Sequence, residues 1–539
     1  MRSFRQIVLV ILFLFTGTPW VIAQVTYYVD AKATGAGTGN NWADAFNDIH
    51  TAFSIAESGD TIRIAQGTYT PDDSHPTLAI GDRAAYWDYP GDVVVEGGYR
   101  GNSGGGDPED RDSGLFETIL SGEIGDPELE TDNSWALIKA NVRGDILFDG
   151  LTLSGVYQDS SSLPQGHYGS VLWTFGSNRV ALNDIRIVDN VTINDDQLGR
   201  GGALFILNTP GTISNCEFVD NRIGGTQFQT VGGAAFIWDS DITFTDCLFE
   251  DNVNDAIGGA AFGGAIYIEH GYPVFQNVIF RNNIAENAGG AVFHRNAWDP
   301  VKHPDREGAP TFIDCVFESN ASNNGGAAFI WSRREDDVCT FRNCQFLGNT
   351  TVQGGAAIYS NGGGLTVMGV NVEGCLFSGN QTAFGSRSVA QHGTAFDGPG
   401  AKSRFTNCTI AGNIAGSGLM LSTFPEGDYR IANTIIRNNG SGSLNRFSIH
   451  GRIVSSNIEG AALLNPSIVQ IDVIDSNAHF VDPAGGDYRL ASGSPSIDCG
   501  DDSSVPEDLT SDLDGNDRAV DGDNDFVSVV DMGAFESAD

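Results

Sequence analysis

Apolar positions in the middle of the chain recur in a fixed frame. In Cys216-Glu217-Phe218-Val219-Asp220-Asn221 apolar and polar residues alternate and the run ends on asparagine. The frame returns at Cys247–Asn252, Val278–Asn283, Cys315–Asn320, Cys344–Asn349 and Cys375–Asn380, with weaker copies at Ile185–Asn190, Cys408–Asn413 and Thr434–Asn439. Cysteine and the phenylalanine two places on have strand spacing, so both face one side. Three places before the cysteine stand Ile213, Phe244, Phe275, Phe312, Phe341, Val372 and Phe405. A step of three breaks the alternation, so a bend falls between. It carries Asn215, Asp246, Asn277, Asp314, Asn343 and Asn407, residue types that tolerate turn conformations. A Gly-Gly-Ala run precedes most copies, beginning at Gly201, Gly232, Gly263, Gly289, Gly325 and Gly354.

The copies are mostly 29–33 residues apart, with one interval of 37 and one of 26. That period signals a solenoid whose units bury their faces only against neighbours. No helical stripe fits units this rich in β-branched and aromatic residues and this often broken by glycine. The expected fold is all-β, a right-handed parallel β-helix with coils about 4.8 Å apart, phenylalanines stacked inside and asparagines laddered at a corner. Near the front, Ala45, Phe46, Ile49, Phe53 and Ile55-Ala56 approximate one face of a short helix that would cap the first coil. The expected organisation is a secretory signal peptide at 1–23, an N-terminal cap and first coil at 24–70, the β-helix at 71–480 with clear repeats over 185–440, and a C-terminal cap with an Asp-rich segment at 481–539. The leader reading rests on Arg2 and Arg5 ahead of the apolar run Ile7 to Phe15 and on Val21-Ile22-Ala23. It implies export and no membrane span in the mature chain.

Gly-Gly-Ala-x paired with six intact Phe-x-x-Asn copies resembles the repeat of chlamydial polymorphic outer-membrane proteins, whose passengers are β-helices. The flanks are similar to secreted bacterial pectate-lyase-like β-helix proteins of the "choice-of-anchor" kind. Their opening is matched by Tyr27-Tyr28-Val29-Asp30, Trp42-Ala43-Asp44-Ala45-Phe46 and Gly59-Asp60-Thr61-Ile62 leading to Gly67-Thr68-Tyr69. Their close is matched by Asp512-Leu513-Asp514-Gly515-Asn516 and Val530-Asp531-Met532-Gly533-Ala534-Phe535-Glu536. The resemblance implies a bacterial cell-surface or secreted protein on a pectate-lyase-like scaffold. No counterpart of the autotransporter barrel is found, so self-export is not expected.

Composition narrows the partners. The chain has 69 acidic against 29 basic residues and a formal charge of −40, which argues against nucleic acid and against anionic membranes. Six cysteines share one repeat column with Val278 and Thr434, which favours buried thiols, although disulfides and metal binding stay open. Polygalacturonase-like hydrolases carry Asn-Thr-Asp, Asp-Asp and Gly-His-Gly, and the first and last are missing. The pairs Asp195-Asp196 and Asp336-Asp337, and His167 and His392, read as surface groups. Six residues on from each Gly-Gly-Ala start lie Leu207, Trp238, Glu269, Arg295, Trp331 and Ser360, a mixed column expected outside, with Phe236, Tyr267, Phe293 and Phe329 on the same face or packed under loops. Trp238, Trp331 and Arg295, with Trp298 in the insertion 295–310, are the candidate binding residues, suited to stacking on sugars or holding a protein partner. Asp512, Asp514, Asn516, Asp521, Asp523 and Asp525 present oxygens at alternate positions that suit calcium, without the glycine and distal glutamate of an EF-hand. The expected function is non-catalytic recognition or adhesion, with carbohydrate or a cell-surface protein as partner. A lyase or hydrolase of acidic polysaccharide and a structural spacer are the alternatives.

Overall fold

One coil shows how the repeat becomes a rung. After the turn at Gly201-Gly202, strand Leu204–Leu207 runs along one sheet and Gly211–Ser214 and Glu217–Val219 along a second. Arg222–Gly225 then runs along a third, and Gln229–Val231 returns to the next glycine pair. Each strand pairs in parallel with its counterpart one coil on. The computed structural model describes residues 24–537 apart from 103–104, 141–142, 160–168, 194–198, 227–228, 258, 297–307, 333–336, 362–368, 384–389, 394–401, 415–420, 423–427, 441–449 and 465. Among these, 26 strands form a long bent sheet, and two sheets of 11 strands complete the coil. This is a parallel β-helix. The expected leader, 1–23, lies outside the described residues. Among the described residues no helix is long and apolar enough to cross a membrane.

The interior is built by register. Phe218, Phe249, Phe280, Phe317, Phe346 and Phe377 are partners on successive coils, with ring centroids 4.4–5.2 Å apart and planes within 14° of parallel. A second stack, Phe244, Phe275, Phe312 and Phe341, meets it edge-on. The bend between the stacks sits at Asn215, Asp246, Asn277 and Asp314, all with φ of 52–54°, a left-handed conformation that asparagine and aspartate bear best.

The asparagine corner is a continuous ladder from Asn190 to Asn439. Each side-chain amide donates to the next asparagine's Oδ1 at 2.9–3.1 Å, as Asn221 to Asn252 and Asn320 to Asn349. The same amide also donates to a main-chain carbonyl of the previous coil, as Asn252 to Phe218 at 2.8 Å.

All six column cysteines are free and buried. Each thiol donates to the carbonyl two residues before it, at 3.1 Å from Cys216 to Ser214 and 3.2 Å from Cys344 to Arg342. Thr434 and Ser456 make the same bond with hydroxyls in the last coils. Apart from Val278, the column therefore holds small donors that add a second bond to carbonyls already accepting a main-chain N–H from the neighbouring coil, as Thr245 O accepts from both Asn215 N–H and Cys247. Burial pushes the Cys216, Cys344 and Cys408 thiols up, away from the reactive thiolate.

The paired glycines have two separate reasons. Gly201, Gly232 and Gly263 take φ of 67–73°. A Cβ on Gly202, Gly233 or Gly264 would lie 1.8–2.0 Å from a carbonyl oxygen of the next coil. Turn conformation fixes the first glycine and coil-to-coil approach the second.

Helix α1, Ile49–Ile55, closes the front. Asp48 caps it by accepting from Thr51 N–H at 2.7 Å, and Ile49, Ala52 and Phe53 join the main core beside Val29 and Phe46. Ile55, expected on the apolar face, is exposed. At the far end the turn Ala461–Leu463 and Leu464 enter the same core. The segment expected as a cap, 481–539, lies elsewhere. Its described part folds back along the outer side of the long sheet, where Tyr488, Ile497, Met532 and Phe535, with Phe480 just ahead of the segment, cover Leu376, Ala411 and Ile435. Gly533 N–H donates to Asn433 O, and Asn407 donates to Asp531 O. It is a strap on the flank: the column of Leu248, Ile279 and Val316 continues to Leu376 and Ile435, and the column of Glu250, Arg281 and Glu318 changes to Leu347, Ser378 and Ala411, so both are free of charge over the coils from Leu347 to Ala411.

Candidate binding face

The 11-stranded sheet that begins at Trp87–Asp88 and includes Leu204–Leu207 carries two outward columns. The first runs Trp173, Phe205, Phe236, Tyr267, Phe293, Phe329, Tyr359 in strict register. From Phe205 onward these rings stack at 4.8–5.3 Å with planes within 19°. Although they point away from the interior core, Phe205, Phe236, Tyr267 and Phe293 are buried. They form a second apolar cluster with Val231, Phe262 and Ala288, the residues just before the glycine turns. The corner between strand and turn thus walls one side of the aromatic row.

The second column runs Leu207, Trp238, Glu269, Arg295, Trp331. The expected column ended on Ser360, but Asn361 is the partner of Trp331, and Ser360 faces inward with Ile330. The preceding strand pairs Ser322 with Thr351 but Asn324 with Gly354, so one extra residue shifts the frame and makes Gly355 the turn glycine. Sequence counting from Gly354 could not see that bulge.

Trp238 and Trp331 are half-buried, less open than an exposed pair, because both pack on the aromatic cluster. Three coils separate them, about 14 Å at the usual strand spacing. The Arg295 guanidinium lies 5.1 Å from the Trp331 ring centre and its Nη1 is 3.9 Å from Glu269 Oε1. The Arg200 guanidinium lies 5.7 Å from the Trp238 ring centre. Nε1 of both tryptophans and Nε of Arg295 are buried and find no acceptor among the described residues. Burial alone would release the Arg295 proton more readily, yet a hydrogen bond to the Tyr267 oxygen and the Glu269 carboxylate favour the charged guanidinium, and the net shift is upward. Burial likewise raises Tyr267 and keeps its hydroxyl neutral. Trp298 lies outside the described residues, as do Asp195, Asp196, His167 and Asp336.

Asp337, expected at the surface, is not a surface charge. It is buried, accepting from Asn296 at 2.5 Å, Ser332 at 3.0 Å and Gly308 N–H at 3.1 Å, and so ties together both ends of the insertion beside Arg295. The neighbouring His294 is fully enclosed and lowered to about 3, by burial first and His270 second, so it stays neutral. A buried acid in a polar pair of aspartates leaves no mark in sequence, since two of its three partners, Asn296 and Gly308, are 41 and 29 residues away.

The six candidate calcium ligands do not form one cage. Asp512 is buried and its oxygens accept from the main chain of Asp514, Asn516 and Glu536, which makes it a turn anchor. Asp514 is paired with Arg489 at 2.6 and 2.8 Å. Asp525 donates its N–H to Asp521 and Asp523, and its carboxylate accepts from Val527. Asp521 and Asp523 instead meet Asp498, missed in sequence, with one oxygen of each within 4.8 Å of the others. That trio has a hard-cation donor set.

The crystal structure of pectate lyase Pel9A resembles the chain at a TM-score of 0.37 and 10% identity, over 96% of this chain and 97% of that one. A rhamnogalacturonan lyase resembles it at 0.31 and 12%, over 78% and 89%. No curated protein matches it in sequence. The family model described as "Right handed beta helix region" matches residues 132–299 and 304–480. With more than half of its length matched, the chain belongs to the right-handed β-helix family.

Proposed function

We propose that this is an exported, non-catalytic recognition protein that binds glycan chains along the outward column Trp238, Glu269, Arg295, Trp331. One observation carries the reading: two half-buried tryptophans stand three coils apart in one column, each with a guanidinium against its ring. Flat aromatic faces bind sugar rings by their apolar side, and the charged pair between them can bond hydroxyls. At the column one acid, Glu269, stands with two guanidiniums, Arg200 and Arg295, so an acidic glycan need not be repelled there as the total charge would suggest.

A polysaccharide lyase is the second reading, favoured by Arg295 in the outward column. Such an enzyme would use the arginine as a base, whereas the Arg295 guanidinium lies over the Trp331 ring and beside Glu269, contacts that favour its charged form. A glycan array of the purified protein, run beside a polysaccharide-degradation panel with and without calcium, separates the two. Binding that falls at least about tenfold in Trp331→Ala and Trp238→Ala, without degradation, supports recognition. Cleavage of any polymer overturns it.

A further inference from the structure

A second polar cleft lies off this face, where residues 107–117 cross the outer side of the long sheet. Its volume is about 290 Å³, room for one sugar-sized ring. The floor comes from successive coils, with Thr152, Arg186 and Glu217 partners in register and Glu117 next to the first strand of the series. Arg186 donates to Glu117 at 3.1 Å and to Glu217 at 3.0 Å, and so fixes one carboxylate on either side of itself. Thr152 holds Glu117 at 2.9 Å, and Ser113 holds Asp184 at 2.5 Å. Each carboxylate keeps one oxygen without a donor among the described residues: Glu117 Oε2, Asp184 Oδ1 and Glu217 Oε1.

We propose that this cleft binds a protonated amino sugar, at a site independent of the tryptophan column. Three carboxylates against one guanidinium leave two uncompensated negative charges, which reject an acidic sugar and favour a cationic one. An ammonium and the hydroxyls beside it supply donors for the three open oxygens. Arg186 Nη2 remains to donate to a hydroxyl oxygen. Because Arg186, Thr152 and Ser113 already hold the acids, binding does not have to order them. The central guanidinium also disfavours a bare divalent cation. Glu117 and Glu217 are about half exposed and paired to the same arginine, which is not the desolvated setting of a general acid, so the cleft is read as a binding site.

Saturation-transfer NMR and calorimetry on the full chain, in chelator, test this with glucosamine as the probe. Glucose, N-acetylglucosamine and glucuronate serve as controls. Glucosamine binds in the millimolar range, and each control binds at least about tenfold more weakly. Glu217→Gln and Asp184→Asn, both compatible with the backbone, each weaken glucosamine by about tenfold without shifting the melting curve. Trp331→Ala leaves it unchanged, which separates failure here from failure of the glycan face. Absence of glucosamine binding, equal binding of glucose, or full retention by both carboxylate variants overturns the proposal.

Discussion

Asn320 shows what one residue of the corner ladder does. Its amide donates to Phe280 O and Asn349 Oδ1 at 2.9 Å, its main-chain N–H donates to the same Oδ1 at 3.0 Å, and its own Oδ1 receives both donors of Asn283. Replacing it with alanine leaves the buried carbonyl of Phe280 and two donors of Asn283 without partners. Each such group costs about 1–3 kcal/mol, reduced by relaxation and by any water that enters. Asn320→Ala is therefore expected to lower unfolding free energy by about 3 kcal/mol in urea melts. Asn439→Ala, at the half-buried end of the ladder, costs about 1 kcal/mol. Equal effects at the two positions would mean that the ladder is not cooperative. The ladder was legible beforehand because identical residues at one period can only stack in one way. The burial of Asp337 was not, because its meaning depends on Asn296, Gly308 and Ser332 meeting it in space.

At the level of elements, the strap is the part that periodicity could not place. Its sequence has no repeat, and its partners on the flank lie about a hundred residues upstream, as Ala534 with Thr409. The one visible sign was a change in the outward columns, from Glu250, Arg281 and Glu318 to Leu347, Ser378 and Ala411. By contrast the coils, the bend and the glycine turns followed from local alternation, and the outward tryptophans were right in column but not in burial. What secures the strap is a pair that sequence does not show: Arg518 Nη1 to Glu536 Oε1 at 2.8 Å, with the side chains 4% and 0% exposed. Arg518→Met leaves Glu536 buried without its counter-charge near Asp512 and Asp531, a loss of about 3–5 kcal/mol. Hydrogen exchange is expected to rise across 478–535 and over the strands Leu376–Ser378 and Ile435–Arg437, and to stay unchanged at 204–293. Arg518→Met with Glu536→Gln should recover part of the protection. If Arg518→Met leaves exchange unaltered, apolar contact alone holds the strap.

For the whole molecule the question is how 69 acids and 29 basic residues coexist on a rod. Several arginines on the outer side of the long sheet are shared between two acids. Arg186 bridges Glu117 and Glu217, Arg281 bridges Glu250 and Glu318, and Arg342 bridges Glu373 and Asp508. This arrangement neutralises locally but leaves runs of like charge. Asp189, Asp220 and Asp251 occupy equivalent left-handed turn positions on successive coils. Burial, and then Asp189 and Asp251, raise the Asp220 carboxyl above its ordinary value. The two kinds of interaction respond to salt differently. Pairs in contact at about 3 Å lie well inside any Debye length, whereas repulsion between unpaired acids extends over tens of ångströms at 0.01 M salt and about 10 Å at 0.1 M. Exposed pairs contribute little each, about 0–1 kcal/mol, so the net effect is set by the unpaired excess. Raising sodium chloride from about 0.01 to about 0.5 M is therefore expected to raise the melting temperature by a few degrees, most of it below about 0.15 M. A melting temperature that fell with salt would mean that the shared arginines outweigh the repulsion. In that case the acidity would be a stabilising lattice and not a load the solenoid carries.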